Sequence, residues 1–260
     1  MKEAGSCTVD ARRAGLYRKS HGEGDTSVSG RTDARPPGVG LSQVAAVRRW
    51  ALVGLVAQVA FVGSWLVAAS WQGQHYSSLA HDISDMYAMG APYGAFVVVV
   101  FTLCGAATIL FAWLSLWPSL RAGGWRAAVG SGLLGLSIIG LGNLLSPFER
   151  VACRMADAGC TEAAQSATLG GKLDAAISLF GLVMFVAAGF FLASAMKRVP
   201  GWGRWAWPTR WVAVSVLVLV VAAGLGSAVG LFGLFERLVA ATCASGVALL
   251  AWGVLQRARA

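Results

Sequence analysis

The chain has 260 residues, of which 57% are hydrophobic and only 13% are charged, and its mean hydropathy is +0.64. Because a soluble domain is roughly a quarter charged, this composition excludes an ordinary soluble globular protein. The net charge of +9 does not indicate nucleic-acid binding, since the basic residues are confined to short segments between long uncharged stretches. That pattern is typical of a polytopic membrane protein.

Residues 1–46 are polar, rich in Gly, Arg, Ser and Asp, and without apolar periodicity. Such a segment cannot bury enough apolar surface to offset the entropy lost on ordering, so we predict a disordered basic cytoplasmic tail. Two interpretations stay open for it: a solvated tail, or a basic surface that touches anionic lipid. Residues 47–260 are predicted to form one membrane domain.

Six apolar segments follow the tail, and each reaches the ~20 residues needed to cross a hydrocarbon core. Since only a helix satisfies every backbone polar group within one such segment, we predict an all-α bundle of six transmembrane helices. The predicted spans are residues 50–71, 93–117, 125–146, 173–196, 209–229 and 235–256. Glycines run through the third span and are predicted to let helices approach closely.

The distribution of charge predicts how the chain is threaded. Seventeen of the 21 basic residues lie in the tail, in the second and fourth loops and at the C-terminus. The other four are Arg150, Arg154, Lys172 and Arg237. This excess places both termini in the cytoplasm and the first, third and fifth loops outside. We therefore predict a multi-pass protein of the bacterial inner (plasma) membrane, in contact with membrane lipid.

Tryptophans cluster near the predicted cytoplasmic ends, above all in residues 200–208, where Trp202, Trp205 and Trp207 follow one another closely. Indole rings favour the headgroup level of a bilayer, so we interpret this run as an interfacial anchor. A stacking platform for nucleic acid is the alternative, and we expect no nucleic-acid partner.

Outside the tail, all acidic residues fall on the predicted outer side, where we expect a polar cap over the bundle. The candidate cap residues are His75, His81, Asp82, Ser84, Asp85, Asn143, Lys172, Asp174, Glu236 and Arg237. Lys172 and Asp174 are expected to pair with Asp85 or Arg237, which would tie the three outer loops together. The cap would border a small cavity open to the outside, with lipid or a small ligand as its partner.

His81, Asp82 and Asp85 leave two interpretations open. If this stretch were helical, His81 and Asp85 would share one face, and with His75 they would form a metal site that activates water for a hydrolase. Alternatively, Asp85 caps a helix while His81 pairs locally. The chain has no HExxH spacing, so we assign no catalytic residue, metal ligand or cofactor and favour a non-enzymatic protein.

A small transporter is the third hypothesis. It is less favoured because the predicted spans lack charges and proline-broken helices near mid-membrane.

The cysteines separate by location. Cys153 and Cys160 lie in the third loop, on the side where oxidation is permitted, and that loop offers no histidine for a metal site. We therefore predict a disulfide between them rather than free thiols or metal ligands. Cys104 and Cys243 lie within spans and are expected to be small core residues. Gln58, an amide deep in the first span, is expected to form an interhelical hydrogen bond.

Several of these motifs resemble the bacterial membrane proteins known as the domain of unknown function 998 family. The likeness spans residues 50–256 and rests on Tyr-Ser-Ser-Leu at 76–79, Asp-Ile-Ser-Asp at 82–85, the cysteine-containing third loop and Gly-Leu-Phe-Gly-Leu-Phe-Glu-Arg at 230–237. It implies a six-helix fold and supplies no established activity. Many members have a histidine near the start of the fourth helix, where this chain has Lys172 and Asp174.

The Ile-Ser-Asp element at 83–85 also resembles the first outer loop of the Frag1/DRAM/Sfk1 six-helix proteins. Those proteins are linked to lipid handling and autophagy, so the resemblance implies a role that involves lipid.

Overall fold

The structure is a computed structural model, and it describes residues 41–257. Within that range the chain forms six long helices and no strand, and each helix is long and apolar enough to cross a membrane. The predicted all-α, six-helix fold is therefore confirmed. The helices are α1 (Leu41–Ala69), α2 (Gly94–Gly123), α3 (Trp125–Leu145), α4 (Leu169–Met196), α5 (Gly203–Val229) and α6 (Phe232–Arg257).

Helices that follow one another in the chain pack side by side, and α6 also packs against α1, so the six form a closed ring. One end of the ring carries residues 70–93 (loop 1), 146–168 (loop 3) and 230–231 (loop 5). We call this the cap end. The opposite end, which we call the terminal end, carries the start of α1 and the end of α6.

The outward faces of the helices are apolar. Val59 on α1, Leu103 on α2 and Leu225 on α5 are 67%, 65% and 74% exposed, respectively. A belt of large apolar side chains around a ring of membrane-length helices would be unstable in water, but it is the surface that lipid requires. The chain is thus a multi-pass membrane protein.

The core at the terminal end is filled by large side chains, among them Phe111 and Leu116, which are fully buried. Trp202 is also fully buried, which corrects its predicted role as an interfacial anchor. Gly253 on α6 makes the space, because a methyl group there would lie 3.0 Å from the indole ring. Trp207, by contrast, is 65% exposed, as an anchor would be.

Four helices begin earlier than predicted: α1, α4, α5 and α6 start at residues 41, 169, 203 and 232 instead of 50, 173, 209 and 235. Helix α1 starts at Leu41, so residues 41–46 of the predicted tail are helical, because Ser, Gln, Val and Ala there include no helix breaker. The rest of the predicted tail lies outside the described residues. Helix α4 starts at Leu169 because Thr168 caps it, with its hydroxyl accepting a hydrogen bond from the Gly171 N–H (3.3 Å).

Helix α3 is interrupted, whereas its sequence predicted one continuous span. The first part ends at Gly135, Ser137 is extended, and a π-helical turn (Ile138–Gly142) follows. Gly181 of α4 makes room for the break, because a methyl group there would lie 2.6 Å from the Ile138 nitrogen. The glycines predicted to allow close approach therefore also accommodate a change of backbone direction without proline.

Three buried residues lie as expected. Gln58 donates from Nε2 to Thr108 Oγ1 (2.9 Å), which joins α1 to α2. Cys104 and Cys243 are buried free thiols inside the ring. Each fills a small gap between helices, as an apolar side chain would.

Candidate ligand cavity beneath the cap loops

Loop 1 is fastened to α6 by Arg237, which is only 8% exposed. Its Nη1 donates to the carbonyl oxygens of Ser78 (2.8 Å), His81 (2.8 Å) and Gly233 (2.7 Å), and its Nη2 donates to the Tyr76 hydroxyl. The planar guanidinium suits this role because it presents several donors at fixed angles. Gly233 is required here, since a methyl group would overlap the His81 carbonyl.

Glu236, the neighbour of Arg237, holds the next part of loop 1. Its carboxylate accepts a hydrogen bond from the Ile83 N–H (2.7 Å). Burial raises the pKa of Tyr76, which lies against Arg237, to about 12, so its hydroxyl stays protonated at neutral pH. Arg237 and Glu236, in the first turns of α6, therefore hold loop 1 at Tyr76 and at Ile83.

Asp85 joins loop 1 to loop 3. Its Oδ1 accepts hydrogen bonds from the Met155 N–H (3.0 Å) and from Gln165 Nε2 (2.9 Å). Burial raises the pKa of Asp85, while the Met155 hydrogen bond and the His81 charge act in the opposite direction. Asp85 is therefore a connector between loops rather than a group that faces solvent.

Loop 3 makes a second connection through Arg150. Its Nε donates to the Tyr87 carbonyl (2.9 Å) and its Nη2 to the Ala88 carbonyl (3.0 Å). Further along the loop, Cys153 and Cys160 lie at disulfide-bonding distance, with Cα atoms 5.9 Å apart, as predicted. This pairing closes a short turn and limits the movement of the loop.

Beneath these loops lies a cavity of about 300 Å³ in the cap half of the ring. Its roof carries four carboxylates, those of Asp82, Glu149, Asp174 and Glu236. Its floor is formed by apolar side chains, which include Phe61, Phe101, Ile139, Leu182, Val239 and Cys243. The volume lies at the lower end of the range for small-molecule sites. Among the described residues, no Lys, Arg or His lines the cavity.

Glu149 is the least compensated of these carboxylates. It is 3% exposed, and its Oε1 has no hydrogen-bond partner among residues 41–257. Burial raises the pKa of Glu149 from its usual 4.5 to about 8, and the charge of Asp174 adds to the effect. Since a buried carboxylate without a donor is unfavourable, the site requires a proton, a water molecule or a ligand at this atom.

The other roof residues differ in their donors: Glu236 and Asp174 each accept one hydrogen bond, whereas the Asp82 carboxyl group accepts none from the described residues. Burial raises the pKa of Asp82 from its usual 3.8 to about 7, and the charges of Asp85 and Asp174 contribute. Tyr87 donates from its hydroxyl to Asp174 Oδ1 (3.1 Å). Burial also raises the pKa of Tyr87 well above its ordinary value, so this donor does not ionise near neutral pH.

The structure brings most of the predicted cap residues together. The predicted residues that line the cavity are Asp82, Ser84, Asn143, Asp174 and Glu236. Asp85 and Arg237 lie in the loop contacts above it, whereas His75 and Lys172 are exposed and make none of these contacts. His81 pairs locally, because its Nδ1 accepts a hydrogen bond from the Ser77 N–H (2.9 Å).

Two expectations about these residues need correction. Lys172 and Asp174 form no ion pair with loop 1 or α6, and within residues 41–257 the only ion pair joins Arg154 to Asp157 (3.7 Å). Carbonyl and hydroxyl oxygens take the place of carboxylates around Arg237, so the cap is held mainly by hydrogen bonds to the backbone.

The second correction concerns the histidine motif. His81 and Asp85 do not share a helical face, because the only helix in this stretch is the 3₁₀ turn Ser84–Tyr87. No group of three or more His, Cys, Asp or Glu side chains in the described part of the chain could hold a metal ion. The hydrolase hypothesis therefore has no grouped ligands to build on.

Sequence reasoning missed Glu149 and Tyr87 as cavity residues. In the sequence Glu149 precedes Arg150 just after a predicted span, a pattern that indicates a solvated pair at a helix end. In the structure Arg150 turns to backbone carbonyls and leaves Glu149 alone under the loops. An acidic residue within one turn of a membrane span was the available signal, but the pattern cannot show which way the side chain points.

Comparison with family models, with curated proteins and with solved structures finds no match to this chain. Fold and cavity together define its class as a six-helix multi-pass membrane protein with an acidic-roofed cavity at one end of the bundle.

Proposed function

We propose that this protein is a non-enzymatic membrane protein that holds a lipid or a small amphipathic ligand in the cap-end cavity. The observation that carries the proposal is the division of the cavity into a carboxylate roof and an apolar floor. Such a site is complementary to a molecule with one polar and one apolar end, because each part finds the surroundings it prefers.

The position of Ala175 supports entry from the bilayer. Ala175 both lines the cavity and is exposed, which is the combination expected of a residue at an opening of the cavity beside α4. Leu179, one turn further along α4, is 67% exposed and would face lipid. An apolar chain could therefore leave the bilayer beside α4 while its polar end moves under the roof.

We further propose that the cap end faces away from the cytoplasm, across a bacterial inner membrane. The support is the concentration of arginine and lysine at the terminal end, which includes Arg121, Lys197 and Arg257. Membership of the domain of unknown function 998 family is part of the same proposal, on the motifs at 76–85 and 230–237.

The binding function is tested by mass spectrometry of the protein purified gently in nanodiscs. We expect one bound species in a fixed ratio to protein. Ala175→Phe, which fills the mouth of the cavity, should reduce that ratio. Ala176→Phe is the matched control, because Ala176 is exposed on the same helix and does not line the cavity. Protein without any bound species, or equal occupancy in both variants, would refute the proposal.

Transport is a second candidate function, and the break in α3 favours it. The residues that follow the break, Ile138 and Ile139, line the cavity. Interrupted helices that border the substrate site are a recurring feature of secondary transporters. A proton- or ion-dependent uptake signal in proteoliposomes, lost in Ala175→Phe and kept in Ala176→Phe, would support transport over simple binding.

A further inference from the structure

We infer that the ligand of the cap-end cavity is an organic cation: an ammonium group attached to an apolar body. This inference rests on the proposed binding function and names the chemistry of its ligand. It follows from the charge balance of the roof, from one unpaired buried carboxylate and from the aromatic rings beneath.

The roof presents four carboxyl groups, and no basic side chain of residues 41–257 lines the cavity opposite them. Asp82 comes from loop 1, Glu149 from loop 3, Asp174 from α4 and Glu236 from α6. Two arginines adjoin roof residues in sequence, Arg150 beside Glu149 and Arg237 beside Glu236, but neither lines the cavity. Arg150 donates to the Tyr87 and Ala88 carbonyls, and Arg237 donates to backbone carbonyls and to the Tyr76 hydroxyl. Carboxylates from four elements therefore converge on a space whose missing component is positive charge.

Glu149 shows where that charge would be bound. Glu149 lines the cavity with a side chain that is 97% buried, and its carboxyl group accepts no hydrogen bond from any donor within the described residues. An ammonium N–H at this carboxylate would form a charge-assisted hydrogen bond inside the largely buried cavity. The same contact would favour the ionised form of Glu149 and offset the free-energy cost of burying a carboxylate.

The rings below the roof suit the same ligand. Phe61 and Phe101 form an aromatic pair with centroids 4.8 Å apart, and Tyr87 lies 5.8 Å from Phe101 on the roof side. All three side chains line the cavity. Aromatic faces attract ammonium groups as well as packing against alkyl chains, so they bind both parts of the proposed ligand.

An ammonium group on an apolar body has two natural sources: a free amine, or the headgroup of an aminophospholipid. The cavity of about 300 Å³ would enclose a small amine entirely, but only the headgroup of a phospholipid. Either source meets the chemistry of the site.

The test uses the full chain in phosphatidylcholine nanodiscs, with empty nanodiscs to correct for partition into lipid. Octylamine, octanol and octanoate share one chain length and differ in charge at neutral pH. We expect octylamine to bind at least roughly tenfold more tightly than the other two, because only it supplies a positive donor to the roof. Glu149→Gln should weaken octylamine binding roughly tenfold, whereas octanol binding should change little.

Glu162→Gln is the matched control, since Glu162 is exposed at the same end and does not line the cavity. If no probe bound, the proposed binding function itself would fail. If octanol or octanoate bound as tightly as octylamine, or if Glu149→Gln left octylamine binding unchanged, the ligand class would be wrong while binding stood. A Glu149-dependent response to sodium or calcium ions in place of octylamine would also overturn the inference.

The wild-type comparison of the three probes needs no variant, so the test survives if Glu149→Gln does not fold. Replacing part of the phosphatidylcholine by phosphatidylethanolamine identifies the source. If phosphatidylethanolamine competes with octylamine, the lipid headgroup is supported as the natural source. If it does not compete, a free amine is supported.

Discussion

Two buried charged residues at the cap end, Arg237 and Glu149, differ in how many hydrogen-bond partners they have. Arg237 donates from Nη1 and Nη2 to carbonyls and to a tyrosine hydroxyl and leaves only its Nε without a partner, whereas the Glu149 side chain accepts no hydrogen bond in the described range. A matched group stabilises the fold, and an unmatched one lowers stability unless something binds to it. The first is therefore interpreted as structural and the second as functional.

Replacing Arg237 should destabilise the protein. Arg237→Met keeps an apolar stem of similar length but leaves the carbonyls of Ser78 and His81 without their donor, so we expect a loss of about 3 kcal/mol. Thermal unfolding in detergent measures it as a lower Tm. Arg121→Met, at an exposed position of the terminal end, is the control and should leave Tm almost unchanged. Equal effects of the two substitutions would contradict the structural role.

The raised pKa values predict how stability depends on pH. Because the pKa of Glu149 rises from 4.5 to about 8 on folding, its neutral form is favoured in the native state. Its contribution to stability is then full below about pH 4 and is lost as pH rises towards about pH 8. Asp82, with a pKa of about 7, adds a similar slope.

We therefore expect the Tm of the ligand-free protein to fall between about pH 5 and about pH 8, and Glu149→Gln to reduce that fall. The slope should persist in part, because Asp82, Asp174 and Glu236 also face the cavity. Glu162→Gln should change the pH dependence only slightly, because the Glu162 charge is the smallest of the contributions that shift the pKa of Asp82. A slope that Glu149→Gln did not alter would show that this carboxyl is ionised in the folded protein.

At the scale of elements, the break in α3 is the feature that shapes the cavity. It depends on close contact of backbones: Gly181 of α4 lies against Ile138, and Gly105 of α2 lies against the backbone at Gly140 and Leu144. Backbone atoms cannot rotate away as a side chain can, so these glycines have no substitute.

Gly181→Ala should lower stability by about 1–3 kcal/mol, because its methyl group would lie 2.6 Å from the Ile138 nitrogen. Gly224→Ala on α5 is the control: no other atom lies near its added methyl group, and alanine favours a helix, so a gain of up to about 1 kcal/mol is expected. Tm measurements on both variants would show opposite signs. Two losses of similar size would mean that the break is not held by this contact.

The sequence predicts the existence of the elements better than their details. Hydropathy located all six helices because membrane length and apolarity leave no other solution. It did not predict the break at Ser137, since glycines that allow close packing and glycines that allow a break give the same pattern. It also gave Trp202 an interfacial role although Trp202 is buried, because that burial depends on Gly253, which lies on another helix.

Part of the candidate site could be predicted from the positions of charged residues relative to the apolar spans. Asp82, Asp174 and Glu236 stood out as charges at the ends of apolar spans, and they do line the cavity. The hydrogen-bond partners of Arg237 could not be predicted, because they are backbone carbonyls, which every residue type has. Glu149 was not recognised as a cavity residue, because Arg150 beside it indicated a solvated ion pair.

At the scale of the whole molecule, the charge distribution predicts that the terminal end lies in the cytoplasm. Single-cysteine labelling with a membrane-impermeant maleimide tests this in a Cys7→Ser background, where Cys104 and Cys243 are buried and should stay unlabelled. His75→Cys, exposed at the cap end, should react from the periplasmic side. Ala122→Cys, exposed at the terminal end, should react only after lysis. The reverse pattern would invert the orientation.

The hydrogen bonds between Arg237 and loop 1 join two segments that are synthesised at very different times. Ser78 and Arg237 are 159 residues apart in sequence, so the ribosome releases loop 1 long before the helix that secures it. Glu236, which holds Ile83, belongs to the same late segment. During biosynthesis the first five helices can insert before these contacts exist, and loop 1 gains its hydrogen bonds to α6 only when the sixth helix joins them.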